Sequence, residues 1–145
     1  MPDLIVHAAA GYLAGRWLKV LAPAAVAGAL IPDLLRAFGI VSDLAWPYTG
    51  TLHEPLPVLL ACVLVSRLFV PGWRKSALIG LGLGAASHLI LDILQDHLGW
   101  GYFPLFPLSR GSFECAILPP EGHFWAGPAL VALCVLVAKI HRRPA

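Results

Sequence analysis

Residues 76–94 read Ser76-Ala-Leu-Ile-Gly80-Leu-Gly-Leu-Gly84-Ala-Ala-Ser-His88-Leu-Ile-Leu-Asp92-Ile-Leu94. The run is apolar or small almost throughout, so a His and an Asp inside it are costly to desolvate. Four residues apart on a helix, His88 and Asp92 project from one face. That is how a helix offers two ligands to one ion. Three further candidates, His7, Asp33 and His53, each lie in or beside another apolar stretch. Ionisable groups inside membrane helices are functional by default, because their desolvation must be offset by a partner or an ion. The stretch therefore predicts a lipid-embedded helix carrying part of a metal site.

Composition points to the same solvent. The chain has 145 residues and only 12% are charged, about half the share of roughly 25% usual in soluble domains. Mean hydropathy is +0.79. One domain over residues 1–145 is expected at this length. A net charge of +2 with scattered basic residues excludes a nucleic-acid footprint. Cys62, Cys115 and Cys134 are odd in number and show no CxxC spacing, so no disulfide framework is implied. The opening Met-Pro-Asp has no basic run ahead of its apolar stretch, which predicts a retained first segment rather than a cleaved signal.

Five apolar segments stand out, at about 4–20, 22–36, 56–71, 76–95 and 125–140. They predict an all-α fold: a polytopic membrane bundle of about five helices with a polar site between them. Several runs fall short of the roughly 20 residues that span a bilayer, so short or broken helices are expected. Gly11 with Gly15, and Gly80 with Gly84, have the spacing that lets membrane helices approach closely. The connections 37–55 and 99–124 are long, and the aromatics at segment ends suit the interfacial belt. Arg16 and Lys19, then Arg67, Arg74 and Lys75, then Arg142 and Arg143 mark alternate ends of the segments. Placing these clusters in the cytoplasm puts the N-terminus outside and the C-terminus inside, across a cell inner or plasma membrane. His7, Asp33, His53, His88 and Asp92 then gather toward the outer half.

Each candidate has a plainer alternative. His88 and Asp92 can be a polar pair holding helices together, and His7 a hydrogen-bonded packing residue, although Asp3 one turn earlier could orient it as outer carboxylates orient a metal-bound His. Asp33, after Pro32, can serve a turn, and His53 can be an exposed loop residue. Asp96 and His97 continue the His88–Asp92 stripe near the helix end. Glu54, next to His53, is a candidate general base and Asp96 a second catalytic group. Together the five ligands make His₃Asp₂, imidazole and carboxylate without thiolate. That set suits a divalent metal, with Zn the default and Mn or Fe(II) the alternatives. An open position on such an ion acidifies water for hydrolysis. Arg110 is the one cation of the late loop on the site side, and either pairs with a phosphate or snorkels to the interface.

The order of these residues resembles the membrane-bound metal-dependent hydrolase family of small polytopic proteins, whose ligand order is similar to that of zinc-dependent phospholipase C. His7 matches the family's first His and Pro32-Asp33 its Pro-Asp motif. Thr51 and His53 match its Thr-His region approximately. His88 and Asp92 match His-x-x-x-Asp, and Phe103-Pro104 or Phe106-Pro107 the late Pro-Phe-like run. The resemblance reaches about Arg110. Leu35 stands where many members carry a second Asp, and no basic residue occurs in 48–51. Glu121 and His123 come in reversed order. These departures weigh against a full binuclear or trinuclear cluster. The resemblance implies a hydrolase in which metal-activated water attacks a phosphoester, in a lipid or another amphiphile, in a chain that can oligomerise. Two other classes remain open from the residues alone. One is a metal-ion carrier or transporter subunit, although no internal repeat is present; the other is a structural membrane protein with interhelical His–Asp pairs.

Overall fold

The computed structural model describes residues 4–42, 50–96 and 101–141. Within them the five apolar segments form five α-helices and no strand: α1 (Leu4–Trp17), α2 (Ala22–Val41), α3 (Pro55–Ser66), α4 (Arg74–Leu94) and α5 (His123–His141). A 3-10 turn, Pro71–Trp73, leads into α4. Prolines open α2 and α3, where a missing N–H leaves no ladder bond unmade. The main departure from expectation is the length of α2. Arg36 ends its apolar run but not its helix, since no proline follows, and the backbone stays helical until the Ser42 N–H bonds the Phe38 carbonyl at 2.9 Å. Expectations resting on Asp3, on residues 43–49, and on His97, Arg142 and Arg143 lie outside the described residues, as does the side chain of His123.

The packing is small inside and large outside. Ala9, Ala24, Ala25, Ala29, Ala77 and Ala85 are buried, together with His7, His53, Glu54, His88 and Asp92. Leu34, Phe38, Leu59, Leu60, Leu64 and Ile90 are exposed. In water such a surface would associate. In hydrocarbon it is the natural lipid-facing side, while small residues bring backbones together. Two helical stretches, Ala22–Val41 and Pro71–Leu94, are long and apolar enough to cross a membrane. Helix α3 has 12 residues and reaches only about 18 Å.

Contacts between α2 and α4, and between α1 and α2, are the most extensive. Gly80 lies against Leu21 and Ala24, and Gly84 against Ala25 and Ala29, so α2 and α4 run parallel. Gly15 lies against Ala22 and Gly11 against Ala29, which makes α1 antiparallel to α2. A Cβ at Gly84 would overlap the Ala25 carbonyl, whereas one at Gly82 would meet nothing within 4 Å. Gly84→Ala must therefore push α2 from α4 and lower stability by at least the about 1–3 kcal/mol of ordinary overpacking. Gly82→Ala gains helix propensity of up to about 1 kcal/mol. Thermal unfolding in detergent should show a lower midpoint for the first variant and an equal or higher one for the second.

Candidate metal centre

The same stripes that bring the helices together carry the polar residues. On α4, Gly80, Gly84, His88 and Asp92 recur every four residues along one face. On α2 the stripe is Ala25, Ala29 and Asp33, and on α1 it is Gly15, Gly11 and His7. Where small side chains let three backbones close up, the next position along each stripe meets its neighbours at one level. His53, just ahead of α3, completes the group.

The structure brings all five candidate ligands together. His88 Nε2 lies 3.1 Å from Asp92 Oδ2 and 2.9 Å from His53 Nε2. His53 Nε2 lies 3.2 Å from Asp92 Oδ2 and 3.7 Å from Asp33 Oδ1. His7 Nε2 stands 3.3 Å from Asp92 Oδ1, and its ring stacks on that of His88 with centroids 3.5 Å apart. Two overlapping triads result, His7–His88–Asp92 and Asp33–His53–His88, each with its ligand atoms within 4.8 Å of one another. A cation is able to sit among such atoms. Donors held about 2.0–2.1 Å from one zinc ion stand roughly 3.3 Å apart in a tetrahedron, close to most of these separations.

Electrostatics favours a positive charge at the centre. His88 Nδ1 donates to the Ala29 carbonyl at 2.6 Å, so in the neutral ring Nε2 is a bare lone pair. That lone pair points at a carboxylate oxygen and at a second imidazole. Only a proton or a metal cation between them relieves the repulsion, and burial raises the cost of leaving it unrelieved. Four of the five groups are buried; Asp33 alone keeps an opening, with 17% of its side chain exposed.

Sequence reasoning missed Tyr102. Its hydroxyl donates to Asp92 Oδ2 at 2.9 Å, and its ring lies 5.4 Å from that of His53. Burial and the Asp92 carboxylate push the phenol well above its ordinary range, so it keeps the proton it donates. Its only sequence signal is an aromatic within Gly101-Tyr102-Phe103-Pro104, soon after the His–Asp helix. The Tyr102–Phe113 bridge fixes that loop, with N–H to carbonyl distances of 3.1 and 2.7 Å.

The remaining candidates fall differently. Glu54 is buried beside the cluster, and its Oε1 accepts the Phe103 N–H at 2.9 Å. Burial pushes its carboxyl above the usual range, with the Phe103 N–H opposing. Glu54 lines a cavity of about 10 Å³ with Pro55, Leu89, Ile93, Tyr102 and Pro104. That is about the room of one water. Asp96 does not continue the stripe, because α4 ends at Leu94, the chain turns extended at Gln95, and the Asp96 N–H pairs with the Leu118 carbonyl. Neither residue joins the two triads among the described residues. Arg110 and Glu121 are exposed.

A family model described as YdjM inner membrane protein matches residues 3–145. The chain belongs to the YdjM inner membrane protein family. Comparison with curated proteins and with solved structures returns no match. The membrane placement expected from composition is thus the family's own, and the YdjM description adds no activity to it.

Proposed function

We propose that this YdjM family chain is a metal-dependent hydrolase embedded in the inner membrane as a polytopic helix bundle. His7, Asp33, His53, His88 and Asp92 hold a divalent ion, zinc by donor type, and the substrate is a phosphoester. The observation that carries this reading is the convergence of three imidazole Nε2 atoms and two carboxylates from four parts of the chain. Bound there, the ion supplies a Lewis acid for a phosphoryl oxygen and an acidified water.

The chain's own groups divide the other tasks. The Ala29 carbonyl fixes the His88 tautomer, and the Tyr102 hydroxyl holds Asp92 in place, as outer partners do around metal ligands. Glu54, on the one-water recess, takes the proton of the attacking water. Arg110 serves the substrate's phosphate from the late loop. The distribution of the basic clusters supports an N-terminus outside and a C-terminus in the cytoplasm.

The test is elemental analysis of detergent-purified protein alongside hydrolysis of a soluble phosphoester. About one equivalent of zinc or manganese per chain is expected. Chelation should abolish hydrolysis, and added zinc should restore it. A folded, chelator-free preparation without stoichiometric metal would leave the His–Asp contacts as helix-to-helix bonds and end the hydrolase reading.

A further inference from the structure

Helix α5 packs on α1, and its contacts with α2 fall below those of every other helix pair that packs. The facing sides of α2 and α5 therefore diverge over α1 as a floor, leaving an open groove of about 710 Å³. Its lining is apolar: Leu4, Ile5, Ala8 and Tyr12 from α1, Val26, Leu30 and Leu34 from α2, and residues such as Cys134 and Ala138 from α5. The volume is that of a ligand site, about 300–1,000 Å³.

The groove has a direction. Gly127 faces Val6, and the Cys134 Sγ lies 3.5 Å from the Ala9 carbonyl, so α5 runs parallel to α1. Leu4, Leu34 and Val131 thus mark one end, and Tyr12, Val26 and Ala138 the other. From Leu4 to Tyr12 the floor extends about 12 Å, most of the roughly 15 Å hydrocarbon depth of one leaflet. Its Leu4 end lies at the same level of the bundle as the cluster: Ile5 and Ala8 are within two residues of His7, and Leu30 and Leu34 within three of Asp33. Asp33 is the one ligand with an opening.

We infer that this groove holds an acyl chain of a bilayer phospholipid, drawn alongside α1 so that the headgroup phosphate reaches the cluster at Asp33. The inference names the substrate class for the hydrolase reading and rests on it for the reaction, but not for the binding. A chain of this length lies in the groove with its methyl end toward Ala138 and its ester end toward Leu4.

The full chain is reconstituted in phosphatidylethanolamine–phosphatidylglycerol vesicles carrying a photoreactive group midway along one acyl chain. Adducts should concentrate on the peptides of Tyr12, Cys134 and Ala138. Ala138→Trp fills the far end, three turns along α5 from Gly127, which faces Val6, and should cut those adducts about tenfold while metal content stays at the wild-type level. It should likewise slow long-chain phospholipid hydrolysis and spare a soluble phosphoester. Adducts spread evenly over Leu59, Leu60, Leu64 and Ile79, and unmoved by Ala138→Trp, overturn the groove. So does equal hydrolysis of long-chain and soluble substrates by that variant, with the hydrolase reading left standing. Groove-confined adducts without any hydrolysis uphold the groove and sink the hydrolase.

Discussion

Asp92→Asn is expected to strip the metal centre while leaving the helices folded. Asp92 is fully buried and meets His7, His53 and His88 Nε2 at 3.3, 3.2 and 3.1 Å, with the Tyr102 hydroxyl at 2.9 Å. Asn keeps the size and removes the charge. It also turns an amide NH₂ or a neutral carbonyl toward imidazoles that have lost their counter-charge. Removing one member of a buried charged set costs about 3–5 kcal/mol, which is roughly two to three and a half decades in affinity at 1.4 kcal/mol per decade. Metal per chain after dialysis against a buffered chelator should fall below about a tenth of wild type, and phosphoester hydrolysis should fall with it. Circular dichroism and the elution profile in detergent should match wild type, because the Gly and Ala contacts that close α1, α2 and α4 do not involve Asp92. Undiminished metal in this variant would remove Asp92 from the ligand set and favour interhelical bonding alone.

The cluster's members were legible in the sequence because hydrocarbon makes ionisable residues conspicuous. Within 76–94 an Asp has no bland explanation as a solvated charge. Close approach was also legible, in Gly80 with Gly84 and Gly11 with Gly15. The fold connects the two signals: each Gly or Ala stripe runs, at the same four-residue step, into His88, into Asp33 or into His7. That continuity places the site at the point where three tightly packed backbones meet. Two things were hidden for physical reasons. Tyr102 reaches Asp92 through the fold of a loop, and loop geometry has no periodicity to read. Asp96 looked like the next member of the stripe because periodicity says nothing of where a helix stops. The extended Gln95 carries it off the face. Similarly, Arg36 closes an apolar run but lies inside α2, since a charge ends hydropathy without ending hydrogen bonding.

Glu54→Gln is expected to keep the metal and lose the reaction. Glu54 is 3% exposed, and its Oε1 ties the Phe103 N–H to the start of α3 at 2.9 Å. Its other oxygen, Oε2, is buried with no hydrogen-bond partner among the described residues. A buried carboxylate oxygen left without a donor is costly, and Glu54 also lines a recess with the volume of one water. Gln preserves the carbonyl that accepts from Phe103, so the loop and Tyr102 stay in place. What it removes is the ability to accept a proton. Loss of a positioned general base lowers turnover by about 10²–10⁴. The signature is therefore a fall in kcat of that size with KM and zinc content near wild type. A residue that merely anchors the loop predicts the opposite pattern: Glu54→Gln would be nearly silent, whereas Glu54→Ala, which frees the Phe103 N–H, would disturb both KM and metal content. Measuring the two variants together separates proton transfer from positioning, because both lose the charge while only Glu54→Ala loses the hydrogen bond to Phe103 and the side-chain volume.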